Sequence, residues 1–137
     1  MYVDKTELIK YTNKVLFGEQ KYICVSRPRR FGKSMAANML TAYYSRGCDS
    51  REMFSKYKIA EADSFEKHLK KYNVIHINMV KYLDEAKDIK EMLKFLEEDI
   101  IDEITEEFPD AKFPRRVTLI NVLDKIFAQF KVPFVFI

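Results

Sequence analysis

Cysteine is scarce in this chain. Cys24 and Cys48 are its two cysteines, far apart, with no Cys-x-x-Cys spacing and no companion histidine at metal-ligand distance. That excludes a disulfide-stapled scaffold and a structural zinc site as organising principles, and leaves Cys24 as a small core residue. Long hydrophobic runs are also missing. The N-terminus MYVDKTELIK is charged from its fourth residue, and no stretch approaches the roughly 18 apolar residues of a membrane helix. The expectation is a soluble, cytoplasmic protein without a membrane partner. An excess of one charge is lacking too: 24 Lys+Arg stand against 21 Asp+Glu, a net charge of +3. So weak a balance implies neither nucleic acid nor an anionic surface, and any argument from basic residues must be local. No internal repeat, low-complexity stretch or linker divides the chain.

What is present suffices for one core, because 47% of the 137 residues are hydrophobic and 14% aromatic. The segment KTELIKYTNKVLFG puts Leu8, Ile9, Thr12, Val15 and Leu16 on one helical face, predicting a helix over about residues 5–16. Asp4 and Glu7 are spaced as a capping box at its start and Gly18 stands at its end. Next, KYICV reads as a buried strand, SRPRR as a turn in which Pro28 blocks further strand, and GKSMAANMLTAYYS as a helix with Ala36, Met39, Leu40 and Tyr43 in register. Residues 45–72 read as short irregular or helical pieces.

A second strand is expected in YNVIHINMV, with Val74, Ile75 and Ile77 as its apolar body and His76 and Asn78 on a less covered face suited to an edge. Two amphipathic helices follow. One carries Ile89, Met92, Leu93, Leu96, Ile100 and Ile104 up to Pro109; the other carries Leu119, Val122, Leu123, Ile126, Phe127 and Phe130. The closing run VPFVFI has the continuous apolar character of a strand buried on both faces. Alternating strands and helices predict an α/β fold on a parallel sheet.

Between the first strand and its helix lies the one stretch that points to chemistry. Residues 27–34, RPRRFGKS, fit the phosphate-loop pattern G-x-x-x-x-G-K-[ST] except that Arg27 replaces the first glycine. That glycine eases the turn out of the strand, whereas an anion is held by later backbone N–H groups and by the helix N-terminus. The expected donors run from about Arg30 to Met35, downstream of Pro28, which has no N–H to give. Lys33 would reach the terminal phosphates and act as the catalytic cation, and the Ser34 hydroxyl would join a magnesium ion. Arg29, Arg30, Phe31, Gly32, Lys33, Ser34 and Met35 are thus the candidate nucleotide-binding residues, with Mg2+ at Ser34. Arg29 and Arg30 stay open between bidentate phosphate contacts, a lid and a solvated basic turn. His76 reads as structural, Tyr43 and Tyr44 as core, as are Phe127 and Phe130, and Asp4 as a helix cap.

YVDKTELI, SRPRRFGKSM and the strand NVIHINM together resemble the AAA-ATPase-like family of prokaryotic P-loop proteins, over nearly the whole chain. That family writes its loop as R-P-R-R-F-G-K-S, so Arg27 is no departure from it. The resemblance implies a P-loop NTPase fold, three-layered, with flanking helices about a parallel sheet that is incomplete because the chain ends at its third strand. It places the acidic magnesium and water-activating residues just after PFVFI. Members commonly continue into more of the ATPase and a nuclease-like domain of the PD-(D/E)xK type, which implies that residues 1–137 are an N-terminal portion, binding nucleotide weakly and without enzymatic turnover by itself. Two function classes remain: nucleoside triphosphate binding, with ATP implied by the resemblance, or a non-catalytic anion, nucleic-acid or protein-binding module built on the basic loop. Base specificity, oligomeric state and physiological partner are not legible.

Overall fold

The computed structural model describes residues 4–24, 32–47 and 49–137. They divide into two compact units, one running to Val74 and taking in Ile137, the other Ile75–Phe136.

The first unit contains α1 (Glu7–Val15), α2 (Lys33–Tyr44), the single turns α3 (Arg51–Phe54) and α4 (Phe65–His68), and a 3-10 turn at Lys58–Glu61. Ile9, Tyr43, Tyr44, Phe54, Ile59 and Leu69 make its core, each at most 2% exposed. Tyr43 meets Tyr44 and Phe54 edge-on, with ring centroids 4.8 and 5.6 Å apart. Burying two phenols demands partners for both hydroxyls. The Tyr44 hydroxyl donates to Asn13 Oδ1 at 2.7 Å and shares a short bond with the Thr12 hydroxyl. The Tyr43 hydroxyl donates to the Phe65 carbonyl at 2.7 Å and accepts from Asn13 Nδ2 at 3.1 Å. Burial pushes Tyr43 up to about 12 and Tyr44 higher still, so both remain neutral donors.

The C-terminal end of α2 is tied to the chain leading into the first strand. The N–H groups of Lys70 and Tyr72 donate to the carbonyls of Tyr43 and Tyr44 at 2.8 and 3.0 Å, and Arg46 N–H donates to the Tyr72 carbonyl at 3.0 Å. At the start of α1, Asp4 Oδ1 accepts from Thr6 N–H and Oγ1 at 2.9 and 2.6 Å, while Oδ2 accepts from Lys58 N–H at 3.1 Å. The Thr6 hydroxyl, fully buried, accepts from Ile59 N–H at 3.2 Å. The expected cap is corrected: Thr6, not Asp4, occupies the cap position of α1, and Asp4 instead clasps Thr6 to the 3-10 turn.

In the second unit α5 (Met79–Glu85) lies against α6 (Ile89–Glu107), where Asp99 accepts from Tyr82 Oη at 2.9 Å and Lys81 Nζ at 3.3 Å. Asp88 caps α6 through Glu91 N–H, and Glu91 returns its carboxylate to Lys87 N–H. α7 (Leu119–Phe130) closes the core of Ile75, Ile100, Ile104, Phe108, Val122 and Ile126. The strands β1 (Asn73–Ile75) and β2 (Phe134–Phe136) pair in a two-stranded parallel sheet. Mixed helices with a parallel sheet agree with the α/β expectation.

Several expectations are corrected. Of the strand KYICV, residues 21–24 adopt no strand, Tyr22 is 88% exposed and Cys24 is exposed, while Val25 lies outside the described residues. An apolar β-branched run becomes a strand only when a ladder partner takes its backbone groups, and no described strand pairs with residues 21–24. The sheet has two strands among the described residues instead of three. YNVIHINMV is strand only to Ile75, because Asn78 caps α5 by accepting from Val80 N–H at 3.2 Å; His76 is exposed. Ile89, Leu93 and Phe127 are exposed rather than core, and Phe130 is 41% exposed while its ring lies 4.8 Å from Phe108. The left-handed residue after α1 is Phe17, with φ 63°, not Gly18; the Phe17 ring packs edge-on to Tyr72.

Asn13→Ala removes a partner from both phenols at once and should cost about 1–3 kcal/mol, the usual penalty for stranding a buried polar group. Denaturant unfolding checks this, and an unchanged midpoint would refute the network's role. Asp4 adds a pH term. Its bond from the Thr6 side chain holds its carboxyl below the ordinary 3.8, so its contribution is complete above 3.8 and is lost as pH falls through the lowered folded value. Asp4→Asn should therefore melt earlier than wild type at neutral pH, with the two midpoints converging as Asp4 protonates; a difference independent of pH would contradict the clasp.

Candidate phosphate-binding site

The start of α2 is built unlike the other helix starts capped by side chains. Gly32 occupies the cap position with φ 80° and ψ 22°, a left-handed conformation that side chains oppose. Glycine has no side-chain oxygen to offer, and no cap hydrogen bond is formed. The first bond of the helix runs from Ala36 N–H to the Gly32 carbonyl at 2.9 Å. The N–H groups of Lys33, Ser34 and Met35 precede it, and helix geometry gives these no partner within the helix. By contrast, Asn78, Asp88 and Thr118 each accept a backbone N–H at the starts of α5, α6 and α7.

Charge accumulates at the same point. Lys33, Ser34 and Met35 are all exposed, and the first turn of α2 carries no acidic residue. A carboxylate there would complement the helix dipole by about 0.3–1 kcal/mol; the sequence places a lysine instead, which the dipole disfavours. Lys5 arrives from the N-terminal segment: a Cβ built on Gly32 would stand 3.1 Å from its Nζ. Two ammonium groups thus attend one helix N-terminus, and the spacing of the loop motif alone gave no sign of the second.

Of the residues expected to hold nucleotide, the structure places Gly32, Lys33, Ser34 and Met35 consecutively at this helix start. Arg29, Arg30 and Phe31, with Arg27 and Pro28, lie outside the described residues. The donor set suits phosphate, since outward N–H groups and ammonium groups are all donors. It suits magnesium in part: the Ser34 hydroxyl is a hard oxygen, and such an ion commonly completes its shell with phosphate oxygens and water. Two open clefts lie elsewhere. One, of about 530 Å3, is lined by Lys10, Asn13, Lys14 and Lys67 among others; the other, of about 650 Å3, by Arg115, Arg116 and Asn121. Neither is lined by Gly32, Lys33 or Ser34.

Comparison with known proteins adds one positive finding. The family model AAA-ATPase_like, described as a predicted AAA-ATPase, matches residues 1–136. No curated protein and no solved structure matched. No described helix is long and apolar enough to cross a membrane. With the match running from the first residue to the last but one, the chain belongs to the AAA-ATPase-like family.

Proposed function

We propose that this chain binds a nucleoside triphosphate, ATP foremost, as the magnesium complex, through the variant phosphate loop RPRRFGKS. The observation that carries the reading is the start of α2: an uncapped, left-handed Gly32 followed by exposed Lys33 and Ser34 with no acid in the turn. A helix N-terminus with free N–H groups favours an anion, and the lysine adds a positioned charge. Family membership supports ATP over other anions. The parallel pairing of β1 with β2 fits the P-loop NTPase architecture, in which the crossover helices flank a parallel sheet. A cytoplasmic location, where ATP and magnesium abound, follows from the same reading.

Each chain residue then has a defined task. Lys33, the proposed catalytic residue, holds the terminal phosphates and offsets charge that grows there during transfer. Backbone N–H groups of Gly32 to Met35 orient the phosphate chain. The Ser34 hydroxyl supplies one oxygen to magnesium, which when bound neutralises phosphate charge. Arg29, Arg30 and Phe31 belong to the same loop, the two arginines standing open between bidentate phosphate contacts, a lid and a solvated basic turn.

Lys33→Ala should weaken MgATP binding by about tenfold to a hundredfold, the 1.5–3 kcal/mol of a charged hydrogen bond, and leave the thermal midpoint of the free protein unchanged. Fluorescent-ATP titration of both proteins reads this directly. Equal affinities would sink the phosphate-loop reading. Ser34→Ala should reduce the gain in affinity that magnesium brings while affecting magnesium-free nucleotide little, and titration with and without the metal separates the two. An affinity insensitive to both changes, falling steeply and linearly in log salt, would favour a general phosphate-backbone binder.

A further inference from the structure

We propose that Lys5 is a second phosphate-binding cation of this site, reaching it from the N-terminal segment to contact the polyphosphate chain alongside Lys33. The inference rests on the nucleotide-binding reading and adds to it a residue outside the loop.

The residues on either side of Lys5 are spent on holding the segment. Asp4 takes two bonds from Thr6 and one from Lys58 N–H, and Thr6, fully buried, accepts from Ile59 N–H. Pinned before and after, the backbone leaves Lys5 exposed between them, and its ammonium rests against Gly32. A lysine carries about 2 kcal/mol of rotamer entropy, so holding an exposed ammonium at Gly32 has a cost that a partner must offset.

No described residue offsets that cost. Among the described residues Lys5 forms no ion pair. The described features at the start of α2 are unfavourable to it: the positive end of the helix, Lys33 in its first turn, and no carboxylate in that turn. Positive groups gathered at a helix start with no acid in its first turn suit a multiply charged anion, and a triphosphate offers several oxygens to share between two ammonium groups. Glycine at position 32 serves the arrangement twice. It adopts the positive φ, and it leaves open the space that a Cβ would take from the Lys5 ammonium.

The test compares MgATP and inorganic tripolyphosphate binding to the 137-residue chain and to Lys5→Ala, Lys5→Gln, Lys5→Arg and Lys33→Ala, with thermal midpoints of the free proteins. Lys5→Ala and Lys5→Gln should each bind both ligands about tenfold more weakly, and Lys5→Arg should restore most of the affinity, because one charged contact is at stake. Free-protein midpoints of the two neutral variants should equal or exceed that of wild type, since a like-charge repulsion is removed. Wild-type affinity in Lys5→Ala beside a loss in Lys33→Ala would overturn the role of Lys5 and leave the nucleotide site standing. Lowered midpoints with binding not rescued by arginine would assign Lys5 a structural task and equally overturn the proposal. Failure of wild type to bind, or indifference to Lys33→Ala, would remove the nucleotide reading and this inference with it.

Discussion

The backbone N–H groups that open α2 are the constraint on which the rest of the first unit depends. They have no side-chain cap, stand next to two ammonium groups, and share the first turn with no acid. A helix can tolerate such an end only if something else fixes it in place. Here the fixing is done at the opposite end: Tyr43 and Tyr44, its last residues, are locked in the core by Asn13, Thr12 and the Phe65 carbonyl, and their own carbonyls accept from the N–H groups of Lys70 and Tyr72. The helix is anchored by its C-terminus and presents its N-terminus.

Magnitudes explain why one element of this arrangement would not suffice. A helix dipole interacts with an exposed charge by about 0.3–1 kcal/mol, too little to retain a phosphate against water. Hydrogen bonds to charged groups add about 1.5–3 kcal/mol each, so the lysines and the ordered N–H groups must act on one ligand together. Common geometry is what allows this. The Asp4 and Thr6 clasp fixes one approach to Gly32, and the tyrosine network fixes the other. The near-neutral total charge of the chain is irrelevant to a site assembled from neighbouring donors.

Periodicity made α1, α2, α6 and α7 legible, because each buries one face whose spacing survives in the sequence. It said less where an element's identity is decided by a partner. KYICV has the composition of a strand, yet residues 21–24 remain coil while β1 and β2 pair with each other. In YNVIHINMV the apolar residues run on unbroken, and the switch from strand to helix lies in one polar side chain, Asn78, whose capping bond to Val80 fixes the start of α5. The amphipathic faces of α6 and α7 were drawn too wide at Ile89, Leu93 and Phe127, since spacing gives the direction of a face but not how far the neighbouring element extends over it. At the site, Gly32, Lys33 and Ser34 were legible from the motif. Lys5 was not, because its approach depends on folding together segments some 27 positions apart (32 minus 5).

The most direct measurement is the change in backbone amide NMR signals of the isotope-labelled chain as MgATP is added. The account predicts the largest shifts at the amides of Gly32, Lys33, Ser34 and Met35, with the side-chain ammonium of Lys5 responding at the same nucleotide concentrations. Shifts confined to Arg115, Arg116 and Asn121, or to the cleft around Lys10 and Lys67, with the start of α2 unmoved, would contradict it.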